Sequence, residues 1–312
     1  MSKLSIIIPV YYSADTLMDC YRDIAGEVLP KLDDYEIVLV DDGSGDNSWE
    51  ICNEIAGLDK NVRLIKLSRN FGAHAANYAG LSACTGDCAV IKCADSQEPA
   101  ALILEMFESW KQGNNVVLAV RKGREESLSQ KAFANLYYGL VKKFVSKKMP
   151  KGGFDVYLID RRVIEALKLL DERNSAITLQ ILWTGFKTST VYYTRLERQK
   201  GRSRWTLSKK INLVLDSFVT FSSAPIRFVE WMGVIFAAGS FIWGIYLIIC
   251  RLMGEIDVQG WTTMMAMFLF ASGMIMLSLG ILGEYIWRTL DVAQNRPVYF
   301  VEEEVKNKSD EE

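Results

Sequence analysis

Residues 35–44 have the sequence YEIVLVDDGS, and this stretch decides the fold. Its first half is a short apolar run rich in β-branched residues, which predicts a strand over residues 35–40. The run stops at Asp41-Asp42, which is followed by the turn-forming pair Gly43-Ser44. A strand that ends in acidic and turn residues predicts an α/β protein with polar groups at one edge of its sheet.

Similar elements lie on both sides of this stretch. Three more strands are predicted over residues 4–10, 62–67 and 88–93, and three helices over residues 15–28, 47–58 and 75–85. Strands that alternate with helices of this length predict a mainly parallel sheet with flanking helices. Ligands of such sheets bind beyond the carboxyl ends of the strands, where this chain has polar residues at 9–11, 41–44 and 95–98.

Composition excludes several classes of function. The net charge of -2 gives no overall attraction for nucleic acid. The six cysteines include no C-x-x-C pair and there is one histidine, so we expect reduced thiols and no structural zinc site. No G-x-G-x-x-G follows the first strand and no G-x-x-x-x-G-K-[ST] occurs, so dinucleotide oxidoreduction and P-loop NTP hydrolysis lack their usual motifs.

Two apolar stretches in the last third of the chain predict transmembrane helices. Residues 231–250 contain no charged side chain, and residues 261–282 form a second run of this kind. About 20 helical residues span the roughly 30 Å hydrocarbon core of a bilayer. The short connection makes the pair a hairpin, and the basic residues that flank it predict that both flanks and the N-terminal domain are cytoplasmic. These residues are Lys209, Lys210, Arg227, Arg288 and Arg296.

The segment before the hairpin has a different pattern. In residues 207–226, LSKKINLVLDSFVTFSSAPI, apolar residues recur at helical spacing between charged ones. This pattern predicts an amphipathic helix on the membrane surface or an ordinary domain helix, which Pro225 ends or breaks. The predicted division of the chain is therefore residues 1–206, 207–227, 228–285 and 286–312: soluble domain, juxtamembrane helix, hairpin and cytoplasmic tail.

Acidic residues at strand ends have two chemical interpretations. A carboxylate can accept hydrogen bonds from a base or a ribose, or it can bind a hard divalent cation that neutralises a diphosphate. Asp41 and Asp42 can equally cap a turn or the next helix, and the sequence leaves both roles open.

Seven stretches of the chain together resemble family 2 glycosyltransferases with the GT-A fold. The resemblance is strongest to bacterial polyprenyl-phosphate glycosyltransferases and dolichol-phosphate mannose synthase, and it runs from residue 4 to residue 301. Each stretch alone is a weak signal, but their order and the terminal hairpin make the combination specific. The stretches are IIIPVYYSAD, IVLVDDGSGDNS, LSRNFGAHAANYAG, CADSQEP, VRKGRE, GRSRWTLSKK and LGEYIWRTLDVAQNRPVYFVEE.

This resemblance implies a nucleoside site and a metal site. Pro9, Tyr11 and Asp42, with Asp41 beside it, would hold the nucleoside of a nucleotide-diphospho-sugar, with UDP-glucose or another UDP-hexose as the favoured donor. Asp95 matches the second acid of the family's Asp-X-Asp and would coordinate Mg²⁺ or Mn²⁺ at the diphosphate. Gln97 would complete the coordination.

The basic residues have implied roles as well. Arg202 and Arg204 occupy the position of the family's G-x-S-K/R loop over the diphosphate. Arg121 and Arg124 match the basic residues that follow the family's next strand after Asp-X-Asp. Together with Lys131 they are predicted to bind the phosphate of a lipid acceptor. Asp155 is expected either to orient the acceptor or a sugar hydroxyl, or to pair with an arginine.

The chain departs from the family pattern at the metal site. Cys93 stands where the first acid of Asp-X-Asp is expected. A neutral thiol is a poor ligand for a hard cation, so the sequence predicts a weaker site or one that Glu98 and water complete.

The resemblance implies inverting transfer of a sugar to polyprenyl phosphate. The acceptor phosphate is already anionic, so no strong base is needed and catalysis depends on positioning and on stabilising the leaving diphosphate. Two other functions are considered: a catalytically degenerate sugar-nucleotide-binding scaffold, which Cys93 favours, and a processive polysaccharide synthase. The second lacks a correctly spaced Q-x-x-R-W element and enough spans for a channel.

The C-terminal tail is predicted to take part in assembly. Residues 297–301, PVYFV, are expected to add as a strand to a neighbouring subunit of a homo-oligomer, for which a tetramer is one option. The last residues, from 302 onward, are predicted to be disordered.

Overall fold

The computed structural model describes residues 2–122, 137–143, 145–170, 172, 175–196, 219–253 and 260–306. The chain divides into two units. One consists of Met1–Ser217 with Pro297–Glu312, and the other consists of Phe218–Arg296. The predicted division into four segments stays a prediction, although residues 297–312 of the predicted tail belong to the same unit as the N-terminal domain.

Eight described strands form one mixed sheet in the first unit, in the order β7-β5-β6-β4-β1-β2-β3-β8. The β1–β2, β1–β4, β2–β3 and β5–β7 pairs are parallel, whereas β6 and β8 run antiparallel to their neighbours. The fold class predicted from the sequence is therefore confirmed. The strands are β1 (Lys3–Val10), β2 (Asp34–Asp41), β3 (Val62–Leu67), β4 (Cys88–Ile91), β5 (Val116–Arg121), β6 (Val156–Asp160), β7 (Thr188–Tyr193) and β8 (Val301–Val305).

Helices pack against the faces of this sheet. In the first of them, residues 17, 20, 21 and 24 are buried, which is the spacing of one helical face. The sheet they cover is fully apolar at its centre, where Ile6, Ile7 and Ile8 have no exposed surface. The helices are α1 (Leu17–Glu27), α2 (Ser48–Leu58), α3 (Ala73–Ala83), α4 (Leu102–Lys111), α5 (Arg161–Lys168) and α6 (Ile177–Trp183).

A buried carboxylate joins the amino ends of three strands. Glu36 of β2 is 3% exposed and accepts hydrogen bonds from the Ser5 hydroxyl at 2.5 Å, the Thr85 N–H at 2.5 Å and the Gly86 N–H at 3.0 Å. Burial alone opposes ionisation, but the hydrogen bonds from Ser5 and Thr85 and the charge of Lys3 outweigh it and lower the pKa of Glu36.

The C-terminal tail returns to the sheet of its own chain. β8 pairs antiparallel with β3, and ion pairs join Arg63 to Glu304 and Lys66 to Glu302. Val298 is buried just before this strand. Val301–Val305 therefore pair with β3 of the same chain, and the addition of residues 297–301 to a neighbouring subunit stays a prediction. The prediction of disorder is wrong for residues 302–305, because β3 supplies the backbone partners that these residues lack in isolation.

The described residues of the second unit include two long helices, α7 (Ala224–Leu252) and α8 (Trp261–Ala293). Both are long and apolar enough to cross a membrane, judged by length and composition. Their large apolar side chains are exposed, and the Phe236 and Phe270 rings lie 5.2 Å apart between the two helices. The helices extend beyond the predicted hairpin bounds of 228–285.

The predicted amphipathic helix is described only in its last part. Residues 207–218 lie outside the described residues, and residues 219–221 form one helical turn. Pro225 lies in the first turn of α7. The N–H groups of a first turn have no intrahelical acceptor, so a proline there costs the helix no hydrogen bond. The proline therefore marks the start of the first apolar helix, and the predicted break falls just before it.

We predict that Glu36→Ala lowers the free energy of unfolding by about 3 kcal/mol, since each buried donor left without an acceptor costs about 1–3 kcal/mol. Glu36→Gln, which keeps one carbonyl acceptor, should cost less. Because folding lowers this pKa, the stabilisation is present above the ordinary carboxyl pKa and is lost as pH falls through the folded value. Urea unfolding followed by tryptophan fluorescence measures both effects. Equal stability of Glu36→Ala and the exposed control Glu27→Ala would contradict the prediction.

A second prediction concerns the tail. Burying a valine is worth about 1.5–3 kcal/mol, so ending the chain after Arg296 should lower the free energy of unfolding of the first unit by at least about 2 kcal/mol. Ending it after Lys306 keeps β8 and serves as the matched control. Thermal unfolding of the detergent-solubilised proteins makes the comparison, and identical midpoints would show that β8 contributes nothing.

Candidate active site

The loops after β1 and β2 are joined by hydrogen bonds. The Tyr12 N–H donates to the Ser44 hydroxyl at 3.0 Å, and the Ser13 N–H donates to the Ser48 hydroxyl at 2.8 Å. Ser48 in turn donates to Asp46 at 2.6 Å. Short polar side chains thus hold the loops after β1 and β2 together.

An aromatic pair lies in the loop after β1. Tyr11 and Tyr12 are 37% and 43% exposed, and their rings meet edge to face with centroids 4.8 Å apart. Tyr12 adopts a φ of 51°, in the left-handed region, because the chain turns sharply after the strand that contains Pro9. Exposed rings beside a strand end can stack on a nucleobase, and the nucleoside role of Tyr11 stays a prediction.

The two acidic residues at the carboxyl end of β2 stabilise loops. Asp41 is fully buried and accepts a hydrogen bond from the Ser44 N–H at 3.2 Å. Asp42 accepts from the Phe71 N–H at 2.7 Å and the Gly72 N–H at 2.9 Å, and so connects β2 to the start of α3. Asp41 therefore caps the turn that follows it, whereas Asp42 binds the segment before α3, and the nucleoside role of both residues stays a prediction.

The environment of these acids also affects their ionisation. Burial raises the pKa of Asp41 and of Asp42, although hydrogen bonds from backbone N–H groups act in the opposite direction. Gly43 has a φ of 64°, and a Cβ at this position would lie 2.5 Å from the backbone of Arg69. Only glycine allows the two loops to approach this closely.

A buried ion pair spans the loop after β4. Lys92 and Glu98 are 2% and 3% exposed, and the Lys92 ammonium donates to the Glu98 carbonyl at 2.9 Å. It also lies 3.9 Å from the Glu98 carboxylate. Burial raises the pKa of Glu98, which Lys92 partly offsets. Glu98 is thus turned inward toward Lys92, and the idea that it completes a metal site with water stays a prediction.

A second cation reaches the same loop from the segment after β7. The Arg195 guanidinium donates to the side-chain oxygen of Gln97, and the Leu196 N–H donates to the Gln97 carbonyl at 2.9 Å. Gln97 is 7% exposed. The side-chain oxygen that was predicted to bind a metal thus accepts a hydrogen bond from an arginine.

Arg121 and Asp155 form a third pair. The Arg121 guanidinium donates to the Asp155 carboxylate and, at 3.3 Å, to the Tyr193 hydroxyl. Burial alone would lower the pKa of Arg121, but Asp155 and Tyr193 raise it, so the guanidinium stays charged. Of the two roles left open for Asp155, the structure contains the pairing with an arginine.

Four predicted site residues cannot be placed. Arg124, Lys131, Arg202 and Arg204 lie outside the described residues. Residues 137–143, which follow Lys131 in the chain, are described and are helical. His74 is partly buried, its Nε2 lies 2.9 Å from the Glu172 carbonyl, and desolvation lowers its pKa, so the neutral imidazole is favoured.

The described residues do not fit the expected Mg²⁺ or Mn²⁺ site. Surrounding protein raises the pKa of Cys93 well above its usual value, so this side chain is a neutral thiol. With Gln97 held by Arg195 and Glu98 by Lys92, Asp95 is the remaining hard ligand of the motif. Across the described part of the chain, no group of three or more His, Cys, Asp or Glu residues is arranged to hold a metal.

Sequence reasoning missed Arg195 and Lys92. Lys92 precedes the motif and looked like part of a buried strand, so its charge was the one signal that it needed a partner. Arg195 lies 98 residues from Gln97 in the chain, and only the tertiary structure reveals the contact.

Two family models match the chain. Glycosyl transferase family 2 matches residues 5–167, and the GtrB C-terminal hairpin matches residues 224–288. The second match covers α7 and most of α8, so it coincides with the two helices that are apolar enough to span a membrane.

Curated relatives match nearly the whole chain. An uncharacterised glycosyltransferase, YkcC of Bacillus subtilis, is 35% identical over 96% of this chain and 93% of its own length. The bactoprenol glucosyl transferase of Shigella phage SfII is 33% identical over 96% of this chain and 97% of its own length. Among solved structures, Staphylococcus aureus TarS 1–349 in complex with UDP-GlcNAc superposes with a TM-score of 0.48 at 16% identity, over 71% of this chain and 67% of that one. On the family model and these relatives, the chain belongs to glycosyl transferase family 2.

Proposed function

We propose that this protein transfers a hexose from a UDP-sugar to polyprenyl phosphate with inversion at the anomeric carbon. The observation that carries the proposal is the combination of a family 2 domain with a GtrB-type hairpin in one chain. Relatives of full length that are named bactoprenol glucosyl transferases support the same acceptor and favour glucose.

The site residues divide into a donor group and an acceptor group. Tyr11 and the loops fixed by Asp41 and Asp42 are proposed to bind the nucleoside, with Pro9 setting the end of β1. Arg121, held by Asp155 and Tyr193, is proposed to bind the acceptor phosphate. A guanidinium group can donate two parallel hydrogen bonds to the oxygens of one phosphate. Arg124 and Lys131 are proposed to assist it, and Arg202 and Arg204 to cover the diphosphate.

The chemistry needs positioning more than proton transfer. An oxygen of the acceptor phosphate attacks the anomeric carbon of the sugar, the bond from that carbon to the UDP oxygen breaks, and its electron pair stays on the diphosphate. Asp95 and Asp155 are proposed to orient sugar hydroxyls or the acceptor through hydrogen bonds. No step depends on Mg²⁺ or Mn²⁺, because the donor set around Asp95 does not suit these ions.

Membrane location follows from the acceptor and from the hairpin. We propose a multi-pass protein of the bacterial cytoplasmic membrane whose catalytic domain and termini are cytoplasmic, because basic residues flank the hairpin. A homo-oligomer, for which a tetramer is one option, remains part of the proposal, and mass photometry in detergent measures it.

Transfer itself is the decisive prediction. The purified full-length protein, given radiolabelled UDP-glucose and undecaprenyl phosphate in detergent, is expected to produce a labelled glycolipid. Other UDP-hexoses are tested in parallel to identify the donor. Binding of UDP without glycolipid formation from any donor would support the degenerate scaffold instead, and a polymeric product would support a processive synthase.

A further prediction separates the two groups of residues. Hydrogen bonds to charged groups are worth about 1.5–3 kcal/mol, so Arg121→Ala should raise the KM for undecaprenyl phosphate roughly tenfold or more. UDP affinity, measured by calorimetry, should change little. Arg22→Ala, on the exposed face of α1, is the matched control. A loss of UDP affinity with an unchanged lipid KM would assign Arg121 to the donor side.

A further inference from the structure

The Arg195 guanidinium lies where the metal-binding motif would be completed. Gln97 is the second residue that the family resemblance assigns to the metal, and its side-chain oxygen accepts a hydrogen bond from Arg195. The same segment fixes the loop a second time, through the Leu196 N–H and the Gln97 carbonyl at 2.9 Å. A positive group is therefore held at one of the atoms that a metal would use.

The charges of the described cluster are already balanced. Asp95, Glu98 and Asp155 are its carboxylates, and each of Lys92, Arg121 and Arg195 brings one positive charge to the same group. Sites for Mg²⁺ and Mn²⁺ present carboxylates whose charge the ion neutralises. Among these described residues, three carboxylates face three cations, so little negative charge remains for a divalent ion.

Cys93 also weakens the motif as a metal site, because it stands where the family has a hard carboxylate ligand. A carboxylate at this position would bind a hard cation, whereas a thiol suits softer metals. The replacement of an acid by Cys93 and the occupation of Gln97 by Arg195 thus act in the same direction. Each lowers the affinity of the loop for a hard divalent ion, and Arg195 supplies positive charge in its place.

We propose that the Arg195 guanidinium stabilises the leaving diphosphate in place of a divalent cation, so that sugar transfer by this protein does not require Mg²⁺ or Mn²⁺. The inference rests on the proposed transferase function. As the bond between the anomeric carbon and the diphosphate breaks, the electron pair moves to the diphosphate oxygen. A fixed guanidinium donates N–H groups to that growing charge without reorganisation, and no proton has to be transferred.

The first test measures transfer with and without metal. The full-length protein is treated with EDTA, and glycolipid formation from UDP-glucose and undecaprenyl phosphate is compared in EDTA, in excess Mg²⁺ and in excess Mn²⁺. We expect equal rates. Activity that disappears in EDTA and returns with Mn²⁺ overturns the inference and leaves the transferase function intact. Absence of transfer under all three conditions, with every UDP-hexose, overturns the transferase function and this inference with it.

Variants at Arg195 test the replacement directly. Removing one donor from a developing charge typically costs about 10²–10³ in kcat, so Arg195→Ala should lose activity to this extent in EDTA. Arg195→Lys should recover part of it, because it restores a positive charge. Full activity of Arg195→Ala in EDTA contradicts the proposal, and circular dichroism checks that the variant is folded.

A binding readout is independent of turnover. Electron paramagnetic resonance of free Mn²⁺ is recorded with the protein and UDP. The wild-type protein is expected to leave the signal of the Mn²⁺–UDP mixture unchanged. The double variant Cys93→Asp with Arg195→Ala restores an acid and releases Gln97, and it should reduce the signal, whereas Cys93→Ser with Arg195→Ala should reduce it much less. Binding of Mn²⁺ by the wild-type protein as strong as by the acid variant would refute the proposal.

Discussion

The parallel pairing of β1 with β2 on one side and β4 on the other is the constraint on which the site depends. The centre of β1 is completely buried, so both of its edges must be paired for its backbone groups to be satisfied. Because all three strands run in the same direction, the segments that follow them emerge at one edge of the sheet. Tyr11, Asp42 and Cys93 reach this edge although more than eighty residues separate the first from the last.

Polar side chains at this edge are largely engaged with one another. Asp42 fixes the start of α3, Lys92 holds the loop after β4, and Arg195 fastens Gln97 from a distant segment. Buried charges are stable only when they are paired and hydrogen-bonded, and this requirement explains why each acid has a cationic or amide partner. The result is a preorganised edge whose dipoles and charges are fixed before substrate arrives, which is the arrangement that electrostatic catalysis favours.

The lateral edge of the sheet beyond β3 is covered by the tail of the chain. β8 pairs with the edge of β3. Its sequence is VEEEV, and all five residues are exposed. Adjacent glutamates repel another strand, so the new edge resists further pairing. Glu302 and Glu304 also form ion pairs with Lys66 and Arg63 of β3.

Much of the fold could be predicted from the sequence, because strand and helix periodicity are local properties. The strand predicted over residues 62–67 has those bounds in the structure, and the apolar runs after residue 230 predicted α7 and α8. The strands β5, β6 and β7 were not predicted from the pattern. The antiparallel insertion of β6 between β4 and β5 depends on contacts between segments far apart in the chain.

The sequence by itself determined the chemistry available to this protein: a sheet with acids at its strand ends, an apolar hairpin, and a thiol where an acid was expected. The tertiary structure decided which groups are occupied. Asp155 meets Arg121, Gln97 meets Arg195 and Glu98 turns inward to Lys92. The strength of a carboxylate or an amide as a ligand depends on the charges within a few ångströms of it. Those neighbours come from segments whose proximity only the folded chain defines.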